Sequence, residues 1–441
     1  MKRTSEQITE PILQQQKTDR KSLFLIIYIF LGMFVLLMGY YTYFLAVKSS
    51  DIINSSYNKR QDILAQRVIR GEILSADGEV LAKTAVDEDG KETREYPYGK
   101  VFANVVGKLY QGVTGIEGTE NIYLLTSDIN PLEKAYHDLV GIKSSGNNVV
   151  TTLDTKLQQI AYDALGDYRG AVIVMEPATG KILAMVSKPA YDPNTLAEDW
   201  EELIKDEDDE APLLNRATQG VYPPGSTFKV LTSLEYMREN PDYKKYEYEC
   251  DGSIEYDGMV IHDNHNTAHG EVNLMMSFAK SCNPSFSNIG KSLDLDRFHS
   301  LCEDFLFNSY LPISIANSKS SFTLQKSGGS AREAMQTAIG QGNTVITPME
   351  NALIVSTIAN GGVMMRPYVI DHTENPYGST QQKYSSKAIT TPMTAEEADY
   401  LAKMMRKVVT DGTAKDLKDF SVKVAGKTGS AEHGDMTQET H

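Results

Sequence analysis

Three short motifs whose residues could together perform acyl transfer occur in order along the chain: Ser226-Thr-Phe-Lys229, Ser281-Cys-Asn283 and Lys427-Thr-Gly429. Each motif is weak alone, since Ser-x-x-Lys also occurs at Ser277-Phe-Ala-Lys280. A serine hydroxyl is a poor nucleophile until a neighbouring group takes its proton. Together the three motifs predict an enzyme that works through a serine acyl intermediate.

The first motif is expected at the start of a helix. Tyr222-Pro-Pro-Gly225 cannot be helical, whereas the apolar pattern of residues 227–239 is typical of a helix. Lys229 then follows Ser226 by one turn on the same face. Lys229 can act as the base only if its pKa falls well below about 10.4. Burial and a second cation, for which Lys427 is the candidate, would both lower it.

The second motif offers a proton relay and an amide clamp. Ser281 follows a predicted helix over residues 274–280, and its hydroxyl could pass a proton to the leaving amine. The Asn283 side chain offers both a donor and an acceptor to a peptide amide of the substrate. Simple capping roles remain the alternative for Ser226, Ser281 and Asn283, because these residue types are common at helix ends.

The third motif is predicted to bind the end of the substrate. It follows an apolar segment, Val422-Lys-Val424, which we expect to be a strand. Lys427 supplies a positive charge for a carboxylate, Thr428 can hydrogen-bond the same group, and Gly429 leaves room for the substrate backbone. The backbone N–H groups of Ser226 and Ser430 are the candidate oxyanion hole.

Composition excludes some classes of function. The net charge of −16 argues against a nucleic-acid partner, which would require a basic surface. Three histidines, at positions 262, 265 and 269, match no standard zinc spacing, so we predict no metal and no cofactor. The cysteines are Cys250, Cys282 and Cys302, of which at most one pair could form, and the sequence leaves all three pairings open.

Residues 23–47 carry no charge and are long enough for one transmembrane helix. Most nearby Lys and Arg residues precede this segment. We therefore predict a cytoplasmic tail over residues 1–22 and an extracytoplasmic chain after Lys48. A cleaved signal peptide is the alternative, but its apolar region would be shorter.

The rest of the chain predicts an α+β protein. Residues 170–175 and 182–186 read as a strand hairpin around a Pro–Gly turn, and residues 395–409 read as a helix. Strands, a block of helices and then further strands are typical of an α+β domain.

These motifs resemble those of class B penicillin-binding proteins, the membrane-anchored D,D-transpeptidases of peptidoglycan synthesis. The resemblance extends over nearly everything after residue 20, and includes Arg70-Gly71, Gly180-Lys-Ile-Leu-Ala184 and Gly340-Gln-Gly342. It implies a small α+β pedestal over residues 48–148. A penicillin-binding/serine β-lactamase-like transpeptidase domain is implied over residues 149–441.

The resemblance implies a mechanism and partners. Ser226 would attack the penultimate D-Ala carbonyl of a stem pentapeptide, and an amine of a neighbouring stem peptide would resolve the acyl-enzyme. β-Lactams would acylate the same serine. Family members of this class often work with a multi-pass membrane glycosyltransferase, and no glycosyltransferase signature is visible before Gly146.

One departure concerns the C-terminus. The family fold continues past Lys-Thr-Gly with more strands and a helix, whereas this chain stops at His441, twelve residues after Gly429. We therefore expect the transpeptidase sheet to lack strands and to expose an edge. Two alternatives are a β-lactamase, whose deacylating Glu is not found at the expected spacing, and a catalytically impaired scaffold or β-lactam-binding protein.

Overall fold

The computed structural model describes residues 6–45, 60–205, 210–324, 329–433 and 437–440. The chain divides into two compact units, Met1–Ile63 and Leu64–His441. The first unit contains helix α1 (Glu6–Tyr43). Within it, Leu23–Tyr43 has a mean hydropathy of 2.5 over 21 residues, with its apolar side chains exposed. By length and composition this helix could cross a membrane. The predicted anchor beyond Leu45 lies outside the described residues.

Fourteen further α-helices occur among the described residues. They are α2 (Arg60–Arg67), α3 (Ala103–Val106), α4 (Gly115–Thr119), α5 (Asn121–Leu124), α6 (Pro131–Val140), α7 (Thr155–Ala164), α8 (Leu196–Leu203), α9 (Lys229–Glu239), α10 (Leu274–Ala279), α11 (Asn283–Ser292), α12 (Leu295–Asp304), α13 (Ala331–Thr337), α14 (Pro348–Ala359) and α15 (Ala395–Asp411).

The strands are short. They are β1 (Val68–Ile69), β2 (Ile73–Leu74), β3 (Val80–Val86), β4 (Glu92–Glu95), β5 (Ser144–Ser145), β6 (Asn148–Thr151), β7 (Gly170–Met175), β8 (Ile182–Lys188), β9 (Glu247–Cys250), β10 (Ser253–Tyr256), β11 (Met259–His262), β12 (Gly270–Asn273), β13 (Met364–Met365), β14 (Ile370–Glu374), β15 (Thr380–Lys383), β16 (Ala388–Thr390), β17 (Ser430–His433) and β18 (Thr437–Thr440).

The largest sheet joins distant parts of the chain. Its six strands lie in the order β15-β14-β6-β2-β3-β4. Strand β6 pairs in parallel with β2 and antiparallel with β14. Because β6 includes residues on both sides of the domain boundary predicted at residue 148, the two segments predicted on either side of that boundary share this sheet. The mixture of helices and strands confirms the predicted α+β class.

The first site helix is anchored by a cluster of aromatic rings. Phe228, immediately before α9, is buried, and its ring centroid lies 5.8–5.9 Å from those of Phe298, Phe307 and Phe322. Aromatic contacts of this kind contribute beyond simple burial. They fix the start of α9 and therefore the residues on either side of Phe228.

The predicted hairpin and the helix near the C-terminus are confirmed, but the strand predicted at Val422–Val424 is wrong. The Arg406 guanidinium donates to the Val424 carbonyl at 2.6 Å, and the Gly426 N–H donates to the Met405 carbonyl at 3.2 Å. Backbone groups of this segment are thus bonded to α15 rather than to a neighbouring strand. Regular pairing begins only at β17, whose sole strand partner among the described residues is β18.

A buried ion triad stabilises the region that contains α4. Glu117 has no exposed side-chain surface and lies 2.6 Å from the Arg70 guanidinium and 2.8 Å from that of Arg94. Burial alone would raise the pKa of Glu117, but the two arginines lower it overall. The carboxylate therefore stabilises the fold above its unfolded pKa, and that contribution is lost as the pH falls through the lower folded pKa.

We expect Glu117→Gln to destabilise the full chain by about 3–5 kcal/mol, because two buried guanidinium groups would lose their counterion. The matched control is Glu95→Gln, which removes an exposed pair with Lys83 at 3.4 Å and should change stability little. Thermal unfolding of both variants in detergent measures the difference. Equal melting temperatures for the two variants would contradict this account of the triad.

Candidate active site

Ser226 lies in a 3-10 turn, Gly225–Phe228, that leads directly into α9. The sequence prediction of a helix start at this motif is confirmed. Ser226 is partly exposed, and its hydroxyl has no hydrogen-bond partner among the described residues. A hydroxyl without an internal partner is available to a substrate that enters the site.

Lys229, the first residue of α9, is fully buried. Its Nζ donates to the Ser281 carbonyl at 2.6 Å and to Asn283 Oδ1 at 2.7 Å. Burial lowers the pKa of Lys229 to about 7, although the negative charge of Asp263 opposes this shift. At neutral pH a large fraction of the Lys229 side chain is therefore an uncharged amine, the form that can accept a proton.

The hydroxyl of Ser281 lies between two lysine amines. Lys427 Nζ is 2.9 Å from Ser281 Oγ, and Lys229 Nζ is 3.3 Å from the same atom. The pKa of Lys427 is well below its usual value because of burial and because of the Lys229 charge. Like charges this close disfavour each other, so a proton on Lys229 makes the charged form of Lys427 less favourable. The structure thus brings Lys229, Ser281 and Lys427 together.

Ser281 holds an unusual backbone conformation between two helices. Its φ is +60°, in the left-handed region that non-glycine residues rarely adopt. The helix before it ends at Ala279, which confirms the helix predicted at residues 274–280, and a further helix begins at Asn283. Such strain persists only where the surroundings hold it, and it is common at functional sites.

Asn283 is held by both ends of its amide. Its Oδ1 accepts from Lys229, and its Nδ2 donates to the His262 carbonyl at 3.2 Å. The backbone N–H of Asn283 donates to Asp263 Oδ1 at 3.4 Å. Asp263 is a buried residue that the sequence reasoning missed. It lies in a polar histidine-rich loop that looked like surface, and no signal in the sequence ties it to the lysine pair.

The third motif lies beside the Ser226 turn. A Cβ added to Gly225, whose φ is +52°, would lie 2.3 Å from the carbonyl oxygen of Ser430. The absence of a side chain at Gly225 is therefore what lets the Ser430 peptide approach the nucleophile. Thr428 Oγ1 lies 2.5 Å from the hydroxyl of Thr413, a neighbour that the sequence did not indicate.

A second glycine completes this close packing. The Gly225 N–H donates to the Gly340 carbonyl at 3.0 Å. A Cβ on Gly340 would lie 1.9 Å from the carbonyl oxygen of Gly225. Gly340, whose φ is +77°, is thus part of the support of the nucleophile turn.

We expect Gly340→Ala to slow acylation by a penicillin by at least about tenfold, because small displacements of positioned groups are costly. Gly342→Ala is the matched control. Gly342 has a similar φ of +84°, but no atom lies within 4 Å of its added Cβ. The control should lose only the stability that alanine costs at a positive φ, about 1–2 kcal/mol. Equal acylation rates of the two variants would mean that contact with Gly225 does not matter.

Comparison with known proteins places this geometry in a family. Residues 170–441 match the penicillin binding protein transpeptidase domain, and residues 70–149 match the penicillin binding protein A dimerisation domain. The peptidoglycan D,D-transpeptidase PbpA of Mycolicibacterium smegmatis is 33% identical over 411 residues, covering 85% of this chain and 81% of that protein.

Solved structures agree with the sequence comparison. The imipenem acyl-enzyme complex of penicillin-binding protein A from M. tuberculosis superimposes with a TM-score of 0.76 at 30% identity, covering 83% of this chain and 88% of that one. The D,D-transpeptidase domain of a peptidoglycan glycosyltransferase from Eggerthella lenta gives a TM-score of 0.75 at 29% identity, covering 84% and 88%. The chain belongs to the penicillin-binding protein transpeptidase family, as its three motifs predicted.

Proposed function

We propose that this protein is a penicillin-sensitive D,D-transpeptidase that cross-links peptidoglycan stem peptides through an acyl-enzyme on Ser226. The observation that carries the proposal is the convergence of the Lys229 and Lys427 amines on the Ser281 hydroxyl, next to the helix start that bears Ser226. The relatives named as D,D-transpeptidases and the β-lactam acyl-enzyme structures support it.

In the first half-reaction, the Ser226 Oγ attacks the carbonyl carbon of the penultimate D-Ala. The proton of the hydroxyl passes to the neutral amine of Lys229. Negative charge develops on the carbonyl oxygen, and the backbone N–H groups of Ser226 and Ser430 stabilise it as an oxyanion hole. The close approach of the Ser430 peptide to Gly225 supports this pairing.

Collapse of the tetrahedral intermediate breaks the bond to the terminal D-Ala nitrogen. The proton now held by Lys229 reaches that nitrogen through the Ser281 hydroxyl, which both lysine amines contact. D-Ala leaves with its amine intact, and the acyl group stays on Ser226. In the second half-reaction an acceptor amine attacks the ester, and the same groups return the proton to Ser226.

Three further residues position the donor peptide. Lys427 and Thr428 bind the terminal carboxylate of the stem peptide, and a β-lactam presents its carboxylate to the same place. The Asn283 side chain holds a substrate amide, after exchanging one of its internal hydrogen bonds. Gly429, which the sequence predicted to leave room for substrate, instead lies against the nucleophile turn, where an added Cβ would be 3.0 Å from Thr227 Cγ2. No metal or cofactor takes part in this scheme.

The chain works at a membrane in this proposal. The residues before Leu23 are cytoplasmic, α1 spans the bilayer, and the site faces the outside, in keeping with the lysines and arginines that precede the apolar segment. Residues 48–148 form the pedestal and residues 149–441 the transpeptidase domain. A separate multi-pass membrane glycosyltransferase polymerises the glycan strands of peptidoglycan.

The test is turnover of a synthetic stem pentapeptide by the full chain in detergent, with and without an amine acceptor. We expect release of D-Ala and, when the acceptor is present, a cross-linked product. Ser226→Ala should yield neither. If penicillin acylates the chain but no pentapeptide is turned over, the protein is a β-lactam-binding scaffold and the proposal is wrong. Rapid release of hydrolysed penicillin would instead indicate a β-lactamase.

A further inference from the structure

Two buried cysteine side chains lie against each other beside the second active-site motif. Cys282 separates Ser281 from Asn283, and its Sγ is 3.2 Å from the Sγ of Cys250. Neither cysteine has exposed surface. The sulfurs are closer than the 3.5–4.0 Å or so of ordinary carbon packing contacts. Forming a disulfide would bring the two sulfurs about 1 Å closer, to a bond length of about 2.05 Å.

Separate backbone networks hold the two cysteines in place. Cys250 is the last residue of β9, and its carbonyl accepts the N–H of His269 at 3.0 Å. Cys282 caps α11, and its N–H donates to the Ser277 carbonyl at 2.9 Å. The proximity of the sulfurs therefore follows from how β9 and α11 pack, not from a flexible loop.

The third cysteine is elsewhere. Cys302 lies on α12, in the large apolar core that includes Phe228. Cys250 and Cys282 belong instead to a small cluster around Val272. Of the three pairings that the sequence leaves open, the structure therefore favours one.

A metal ion is the competing explanation, because the carboxylate of Asp263 lies within 4.8 Å of both sulfurs. However, two thiolates on one tetrahedral zinc ion are about 3.8 Å apart, given Zn–S bonds of about 2.3 Å. The carboxylate is also already engaged. Its Oδ1 accepts the Asn264 N–H at 2.9 Å, and its Oδ2 lies 2.7 Å from His269 Nε2. The sulfurs are therefore closer together than a shared zinc ion would hold them, and the carboxylate that would complete the site has other contacts. For these two reasons we favour a bond between the sulfurs over a shared ion.

We propose that Cys250 and Cys282 are joined by a disulfide in the exported chain. The oxidant is the disulfide of an extracytoplasmic thiol–disulfide oxidoreductase. One cysteine thiolate attacks it to form a mixed disulfide, and the second displaces the carrier thiol. Two electrons pass to the carrier, which leaves as two thiols, and the protein loses two hydrogen atoms.

The bond must form during folding, before the site closes. Burial raises the pKa of the Cys282 thiol, and the charge of Asp263 adds to the shift. A thiol with a high pKa provides little thiolate for exchange. Once formed, the disulfide is buried away from small reductants, and a sulfur whose thiol has a high pKa is a poor leaving group.

The disulfide would tie β9 to the residue between Ser281 and Asn283. It closes a segment in which the two cysteines are 32 positions apart. Because it borders the strained Ser281 peptide, its loss should loosen the Ser281 and Asn283 side chains more than the Ser226 turn. This consequence for acylation rests on the proposed function. The existence of the bond rests only on the extracytoplasmic location proposed with it, not on acyl transfer.

The decisive experiment counts free thiols. The full chain is purified from membranes without reductant and denatured in excess maleimide, and the mass of the intact protein is then measured. We expect one alkylated thiol, mapped to Cys302, and three after reduction. Cys302→Ser should give none before reduction and two after it. Three free thiols in the unreduced chain, or zinc in equal amount to protein by elemental analysis, would overturn the proposal.

A second measurement tests whether the disulfide affects stability and acylation. Cys250→Ser should lower the melting temperature by roughly 5–10 °C and slow penicillin acylation by about three- to tenfold. Cys302→Ser should leave acylation unchanged. The wild-type chain can also be reduced and alkylated while denatured and then refolded. This sample lacks the disulfide without any substitution and is compared with Cys250→Ser. If removing the disulfide leaves the acylation rate unchanged, the bond does not position Ser281 and Asn283, and this part of the proposal is wrong. Absence of acylation in every sample would instead count against the proposed function.

Discussion

Replacing Ser226 with alanine is expected to lower covalent labelling by a fluorescent penicillin to less than about a thousandth of the wild-type rate. The acyl bond forms on the Ser226 hydroxyl, and an alanine leaves no atom to accept the acyl group. The fold should survive, because this side chain is partly exposed and bonded to no described residue. The rate of labelling against penicillin concentration is the measurement.

The chain supplies its own control in another Ser-x-x-Lys sequence. Ser277 is buried in α10, where its hydroxyl accepts a hydrogen bond from Ser285 at 2.7 Å. Ser277→Ala should therefore cost some stability but leave the labelling rate within about threefold of wild type. Loss of labelling in Ser277→Ala with full labelling in Ser226→Ala would mean that the nucleophile has been assigned to the wrong motif.

Replacing Lys229 with methionine is expected to slow acylation by about 10²–10⁴-fold, the usual contribution of a general base. Methionine is similar in length to lysine and is uncharged. Near pH 7 a large fraction of the protein molecules already have an uncharged Lys229 amine. The substitution therefore removes the base without emptying the space. Lys280→Met is the matched control, since Lys280 Nζ makes a long contact of 3.4 Å with the His269 carbonyl and none with the proposed nucleophile.

The acylation rate should also report the pKa of Lys229. Burial lowers this pKa to about 7, and only the neutral amine accepts a proton. Below pH 7 the amine is protonated, so the rate should fall by about tenfold per pH unit, and it should level off above pH 7. Lys280→Met should keep this profile and Lys229→Met should lose it. A rate independent of pH between 5 and 8 in the wild type would contradict the role of Lys229.

Local sequence patterns predicted the elements of the site well. The Pro-Pro-Gly segment before Ser226 excludes helix, so the start of α9 could be located from sequence alone. The helix predicted at residues 395–409 is α15, and the structure shows a capping box at its start, formed by Thr394 and Glu397. In each case the signal lies within a few residues of the feature that it predicts.

The wrong and missing predictions concern groups that are far apart in the sequence and come together only in the folded chain. Val422–Val424 has the composition of a strand, but Arg406 and Met405 of α15 take up backbone groups of that segment. Asp263 and Cys250 reach the second motif only through the packing of β9 and the loop after β11 against α11. No local pattern encodes those distances, and the histidine-rich loop looked like solvent-exposed surface.

The most direct test of the central claim is peptide mapping of the full chain after incubation with penicillin. The account predicts one penicilloyl group per chain, located on the peptide that contains Ser226 and persisting long after free penicillin is removed. An adduct on any other residue, or an intact chain that never gains the mass of penicillin, would contradict the assignment of Ser226 as the acylated serine of a transpeptidase.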